Sequence, residues 1–319
     1  MTHRERLVIY DVSLRDGLQR HQPFIPTSEK LRLFEALTMS GLSEFEVTSF
    51  VSPKAVPQLA DAADLYQATQ GIDSLSATRR DALVINERGL QSAIASEVSG
   101  VCLVLIASDT LSQRNSRVSA QEGMERARGL IALAKREALH VRAYVAAAWV
   151  CPFEGLTPQQ QSVEMTTKLL EWGADEVALA DTVGHATPPQ VRSLIERVIG
   201  LGVKTEQLAV HLHDTLALGL ANACAALETG VRRIDASVGG LGGCPFAPGA
   251  AGNLAAEDLV LLATRLGYDT GVDLEALYRA VEVAEEITGR SLGGRTRAWW
   301  SQRDPSSPLS RSRLDSVIS

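Results

Sequence analysis

Leu208-Ala209-Val210-His211-Leu212-His213-Asp214-Thr215 is a short apolar run carrying two histidines two positions apart. In an extended strand, residues i and i+2 face the same side, so this spacing turns both imidazoles to one face. A single strand histidine is more often a core or surface residue than a ligand, and the pair acquires meaning only from its surroundings. Working outward, apolar runs with β-branched residues recur at 7–12, 45–48, 82–85, 101–106, 141–145, 176–179, 208–213 and 233–238. Each is short enough for a buried parallel strand. Between them lie helix-period segments rich in Ala, Leu, Glu and Arg, at 28–40, 121–138, 158–172, 188–199 and 217–228. Strands alternating with helices imply a parallel sheet, and eight of them close most simply into a (β/α)8 TIM barrel; an open doubly wound sheet is the alternative from pattern alone.

Thr27-Ser28-Glu29-Lys30, Thr157-Pro158-Gln159-Gln160 and Thr187-Pro188-Pro189-Gln190 read as helix starts, while Gly41, Gly173 and Gly230 read as helix ends. In the third strand Leu75-Ser76-Ala77-Thr78 competes with Ala82-Leu83-Val84-Ile85. Beyond the eighth strand the pattern predicts additional C-terminal helices at 255–265, 274–288 and 295–300, so residues 1–300 form one catalytic barrel domain with a helical extension. Residues 301–319, rich in Ser, Arg, Asp and Pro without apolar periodicity, are expected to be a mobile polar tail.

With 45% hydrophobic and 22% charged residues in 319, the chain can bury a large core. A formal net charge of -7, with no basic cluster interleaved with aromatics, argues against a nucleic-acid partner. No apolar stretch reaches the ~18–20 residues of a membrane helix. Met1-Thr2-His3-Arg4-Glu5-Arg6 runs directly into Leu7-Val8-Ile9-Tyr10 with no leader pattern, so a cytoplasmic protein is expected. The apolar helices between Leu274 and Trp300 point to a homo-oligomer. Cys102, Cys151, Cys224 and Cys244 make no C-x-x-C pair; the first three read as buried thiols, and Cys244 stands apart in Gly239-Gly240-Leu241-Gly242-Gly243-Cys244-Pro245-Phe246, a glycine-rich loop followed by Gly249-Ala250-Ala251-Gly252-Asn253.

Catalytic groups of such barrels sit where strands end, on the carboxyl-terminal face. Arg15 and Asp16 follow the first strand, His211 and His213 close the seventh, and Cys244 and Asn253 lie in the loop after the eighth. Asp16, His211, His213 and Asn253 form an oxygen and nitrogen donor set without thiolate, which suits an octahedral divalent cation such as Mg2+ or Mn2+. Taken one at a time, Asp16-Gly17 reads as a tight turn and Arg15–Asp16 as a surface ion pair. Together with a gated cysteine, the set points to a lyase.

The stretch Asp11-Val12-Ser13-Leu14-Arg15-Asp16-Gly17-Leu18-Gln19 resembles the opening motif of the 3-hydroxy-3-methylglutaryl-CoA lyases, within the wider group of metal-dependent barrel lyases and synthases. Phe45-Glu46-Val47-Thr48-Ser49-Phe50-Val51-Ser52-Pro53-Lys54, Cys151-Pro152-Phe153-Glu154-Gly155, Asp181-Thr182-Val183-Gly184 and the Gly-Leu-Gly-Gly-Cys-Pro loop extend the likeness from about Val8 to Thr288. The resemblance implies retro-Claisen cleavage of a small-molecule 3-hydroxyacyl-CoA to acetyl-CoA and a 3-keto acid. It also implies a divalent metal on Asp16, His211, His213 and Asn253. Arg15 would stabilise the enolate, Cys244 would protonate it, and Glu46, Asp181 and His211 would be acid/base or orienting groups. The chain departs from the family at Arg20-His21-Gln22 and at Ala178-Leu179-Ala180, both expected near the acyl pocket, and Trp149 is expected to shape that pocket. Citramalyl-CoA is therefore an alternative substrate to 3-hydroxy-3-methylglutaryl-CoA, and condensation in the reverse direction is an alternative activity.

Overall fold

The computed structural model describes residues 4–72, 78–243 and 252–303. In chain order its elements are β1 (Val8–Asp11), α1 (Thr27–Met39), β2 (Glu44–Ser49), α2 (Ala62–Gln70), β3 (Arg79–Leu83), α3 (Glu87–Ala95), β4 (Gly100–Ile106), α4 (Asp109–Ser116), α5 (Ala120–Arg136) and β5 (His140–Ala146). A two-stranded hairpin, β6 (Val150–Cys151) and β7 (Gly155–Leu156), precedes α6 (Gln159–Glu171). Then come β8 (Glu176–Asp181), α7 (Pro188–Gly200), β9 (Leu208–Leu212), α8 (Gly219–Glu228), β10 (Arg233–Ala236), α9 (Ala256–Arg265), α10 (Leu274–Thr288) and α11 (Arg297–Gln302). Strands β1, β2, β3, β4, β5, β8, β9 and β10 pair in that order, all parallel, and β10 returns to β1 with Val8 opposite Arg233, closing the barrel.

The third strand starts at Arg79, so neither proposed run delimits it; it takes in Ala82 and Leu83, while 73–77 lie outside the described residues. Two of the three expected caps do other work. Thr27 donates to Asp61 Oδ2 (2.8 Å) and Thr157 to Ala147 O (2.7 Å), pinning helix starts to neighbouring loops instead of capping them. Ser119 and Glu122, by contrast, form a full capping box on α5. Gly41 closes α1 at φ +94°, and a Cβ there would lie 2.3 Å from Gly271 O, so both conformation and space require glycine.

The main core lies between sheet and helices, where residues such as Val47, Val101, Val141, Val177, Val210 and Ile234 meet the apolar helix faces. Inside the barrel sits a small apolar layer of Tyr10, Val12, Leu83, Cys102, Tyr144, Ala178 and Ala209. Beneath it the filling is ionic. Arg142, wholly buried, binds Glu176 Oε1 at 2.5 Å and Asp235 Oδ1 at 2.6 Å. Arg79 reaches Asp81 (3.1 Å) and Glu176 (3.6 Å), and Arg233 pairs with Glu44 and Glu176. Removing one partner of such a pair leaves a bare buried charge, at a cost of ~3–5 kcal/mol.

Helix α10 turns Leu274, Leu277, Tyr278, Val281 and Ala284 inward, and it packs on α1 of the same chain. The apolar face that argued for a homo-oligomer is therefore used within the subunit, with Trp299 of α11 left 44% exposed. Among the described residues no helix is long and apolar enough to cross a membrane.

Candidate metal centre and active-site pocket

The chain leaves β1 through a wide turn, Ser13–Gly17, in which Gly17 N donates to Val12 O at 3.0 Å, one residue further back than in an α-helix. Such π-type turns re-aim side chains. Here the turn brings Arg15 and Asp16 over the mouth of the barrel, both buried, so the pair is not on the surface. Arg15 sends Nε and Nη2 to Glu46 Oε2 on β2, each 2.5 Å, and Nη1 to Asp16 Oδ1 at 2.6 Å. Gln19 donates to the same Asp16 oxygen at 2.6 Å.

On the far side, His211 lies on β9 and His213 just beyond its end, where it bridges to Asn253. The strand spacing delivers what it promised: both Nε2 atoms converge to 3.1 Å. Asp16, His211 and His213 each offer a ligand atom within 4.8 Å of the others, and all three are buried. Asn253 turns its Nδ2 to Asp16 Oδ2 (2.8 Å) and Leu241 O (2.9 Å), leaving Oδ1 buried without a partner among the described residues. A buried bare amide oxygen beside two facing imidazole nitrogens and a carboxylate is a donor set that a divalent cation fits. Gly242 lets Asn253 approach: its φ is +132°, and a Cβ would sit 2.6 Å from Nδ2.

The electrostatics favour ligands in their deprotonated forms. Burial opposes ionisation of Asp16, but Arg15 and the two imidazoles outweigh it and hold the carboxyl at about 2. Burial, then the neighbouring His211, pushes His213 down to about 4, so its ring is neutral at pH 7. Burial also works against the charge of Arg15, yet the carboxylates of Glu46 and Asp16 prevail and raise its pKa. Burial lifts Glu46 above the usual range despite that pairing.

Arg15, Asp16, His211 and His213 line a pocket of about 200 Å³ together with aliphatic Leu83, Ile85, Val104, Ile106 and Leu111, with Asn115 and Thr182 as polar interruptions. Gly243 borders it. Cys244 itself lies outside the described residues. Asp181 lies between Ala180 and Thr182, which line the pocket, but does not itself line it: its oxygens accept the backbone N–H groups of His185 and Ala186, each at 3.0 Å, which folds the loop after β8, and burial lifts its pKa above the ordinary carboxylate value. The residues expected around the acyl pocket fall at different places. Ala178 faces the barrel interior below the pocket while Ala180 lines it. Trp149 donates to Gln190 O (3.1 Å) and packs away from it. Arg20, His21 and Gln22 border an adjoining cleft with Phe24 and Gln58, which meets this pocket at Gln19.

Asp235, Arg142 and Tyr144 belong to no motif in the sequence yet stand behind the cluster. Asp235 Oδ2 meets His211 Nδ1 at 3.1 Å, and Arg142 forks that carboxylate. Their signal was a charged residue at an inward position of an otherwise apolar strand, visible in Val141-Arg142-Ala143-Tyr144-Val145 and Arg233-Ile234-Asp235-Ala236. Burial then lies against Asp235, but Arg142 and His211 overcome it and keep its pKa well below the carboxylate range.

A closed (β/α)8 barrel with a buried Asp–His–His cluster at the carboxyl ends of its strands defines a TIM-barrel enzyme with a candidate metal centre. The HMGL-like family model matches residues 6–284. A hydroxymethylglutaryl-CoA lyase of Bacillus subtilis is 37% identical over 295 residues, covering 92% of this chain and 97% of that one. The crystal structure of hydroxymethylglutaryl-CoA lyase from Pseudomonas aeruginosa superposes with a TM-score of 0.89 at 37% identity, covering 95% of this chain and all of the other. An Acinetobacter baumannii HMG-CoA lyase in complex with coenzyme A and 3-methylmalate superposes with a TM-score of 0.87 at 35% identity, covering 94% and 96%. The chain belongs to the HMGL-like family. It is a carbon–carbon lyase.

Proposed function

We propose that the chain is a divalent-metal-dependent lyase that cleaves a 3-hydroxyacyl-CoA by a retro-Claisen reaction. The substrate is 3-hydroxy-3-methylglutaryl-CoA or a close analogue, and the products are acetyl-CoA and a 3-keto acid, acetoacetate in the first case. The observation that carries this reading is the meeting, in one pocket, of the Arg15 fork with Asp16, His211 and His213, with Asn253 joined to the cluster through its 2.8 Å hydrogen bond to Asp16. Those four side chains would hold Mg2+ or Mn2+, and a cation there supplies the Lewis acidity that lowers the pKa of a bound hydroxyl.

The C3 hydroxyl proton passes to a base drawn from Glu46, Asp181 and His211, and Arg15 stabilises the negative charge that grows on the thioester oxygen as the C2–C3 bond breaks. Glu46 and Asp16 hold the guanidinium so that it is already oriented when the charge appears. The aliphatic wall keeps water from the enolate. Cys244 delivers a proton to C2, a role supported by the position of Gly243 on the pocket border.

A shorter acid such as that of citramalyl-CoA is the second reading, favoured by the 3-methylmalate bound by the Acinetobacter relative. The test offers each thioester with Mg2+ or Mn2+ and follows acetyl-CoA release. Release from the six-carbon acid, abolished by EDTA, is expected; preference for the citramalyl thioester would shift the assignment to the shorter substrate, and silence with both would remove the lyase reaction proposed here.

A further inference from the structure

Asp235 lies on β10 directly beside His211 in the barrel register. Arg142 grips both of its oxygens, Nη2 to Oδ1 at 2.6 Å and Nη1 to Oδ2 at 3.0 Å, and is itself immobilised. Its Nε binds Glu176 Oε1 (2.5 Å), its Nη1 also reaches the Tyr144 hydroxyl (2.6 Å), and its guanidinium stacks 4.0 Å from the Tyr10 ring centre. None of these five side chains belongs to a residue more than 3% exposed. The carboxylate that faces His211 Nδ1 at 3.1 Å is therefore held in one plane by neighbours from β1, β5 and β8.

A carboxylate engaged by a guanidinium has only acceptor capacity left. The proton of the 3.1 Å contact must then sit on His211 Nδ1, and Nε2 must carry the lone pair. That lone pair is aimed at the position shared with His213 Nε2 and Asp16.

We propose that Asp235, forked by Arg142, is a positioning residue that locks His211 in its Nδ1–H tautomer and so presents Nε2 to the metal. The inference rests on the metal-centre reading above but predicts a property of the metal-free protein. An ionic cluster that served only to fill the barrel would hold the strands together whichever ring nitrogen bore the proton; this one selects between them. Asn at 235 has the same shape but one acceptor and one donor. Arg142 can use only the acceptor, which leaves the amide N–H2 against His211 and reverses the tautomer.

The test is a long-range 1H–15N correlation spectrum of the metal-free, histidine-labelled full chain at pH 8, with the His211 signals identified by their loss in His211→Gln. Pyrrole-type Nδ1 and pyridine-type Nε2 are expected; the opposite tautomer in the unaltered protein overturns the proposal. A second arm titrates Mn2+ calorimetrically into Asp235→Asn. An affinity at least ~10-fold weaker than that of the unaltered protein is expected, with the thermal midpoint and circular dichroism showing a folded chain. A folded Asp235→Asn with undiminished Mn2+ affinity overturns it as well. Should that variant fail to fold, the spectrum of the unaltered protein decides alone. Failure of the unaltered protein to bind Mn2+ removes the metal reading instead, and the tautomer result distinguishes the two failures.

Discussion

Arg15 illustrates how much depends on a single side chain's shape. Its three nitrogens are divided between Glu46 and Asp16, which leaves the guanidinium preorganised between a carboxylate that anchors it and one that is a candidate metal ligand. Lysine would keep the charge but can neither span both partners nor lie flat against them. Arg15→Lys is therefore expected to lower kcat by ~100-fold or more while Mn2+ affinity, measured calorimetrically, changes much less. A parallel fall in both would place Arg15 in metal binding and not in the chemistry. Asp181 is held differently, by backbone N–H groups of its own loop and not by a guanidinium.

At the level of elements, the site combines strand residues, His211 on β9 and Glu46 on β2, with segments that are not regular strands or helices. The wide turn after β1 aims Arg15 and Asp16, and two isolated bridges, His213 to Asn253 and Ser237 to Ala255, hold the segment that carries Asn253. Gly242 is where this assembly is most exposed to substitution. Gly242→Ala places a Cβ in the space of Asn253 Nδ2 at a φ that non-glycine residues rarely adopt. The expected result is a several-fold to tenfold loss of Mn2+ affinity with the barrel's circular dichroism intact; unaltered affinity would show that Asn253 is not held through this contact. Helix ends were less legible than helix centres, because a threonine that reads as a cap in Thr27 or Thr157 finds a better acceptor in a neighbouring loop.

On the scale of the whole molecule, the barrel interior stores charge, and that sets a pH dependence. Burial raises Asp11 from 3.8 to about 7, against the hydrogen bonds it accepts from Ser13. A carboxyl whose folded pKa lies above its unfolded value is lost as a stabilising influence on the alkaline side: below pH 4 both states are protonated, between 4 and 7 the unfolded chain sheds a proton the folded chain retains, and stability falls until it levels above 7. From pH 5 to 8 this group alone removes about 2–3 kcal/mol. Asp11→Asn should therefore gain stability relative to the unaltered protein by that order between the two pH values, measured by urea unfolding; a constant difference would show that Asp11 is already ionised in the folded state.

Alternation of apolar runs with helical periods made the barrel legible, and Asp16, His211 and His213 could be read as candidate donors because each falls at or just past the end of a predicted strand, with Asn253 read in the loop after the eighth. Periodicity and residue type are local properties, and the chain by itself determined them: which face of β9 bears imidazoles, where strands stop, which side chains can ligate. Closure of the sheet decided the rest. Arg142 and Asp235 are 93 positions apart, and Asp16 and Asn253 are 237. Nothing local relates them, since the pairing of such residues depends on the stagger of eight strands and on which buried charge is left without a partner once they close.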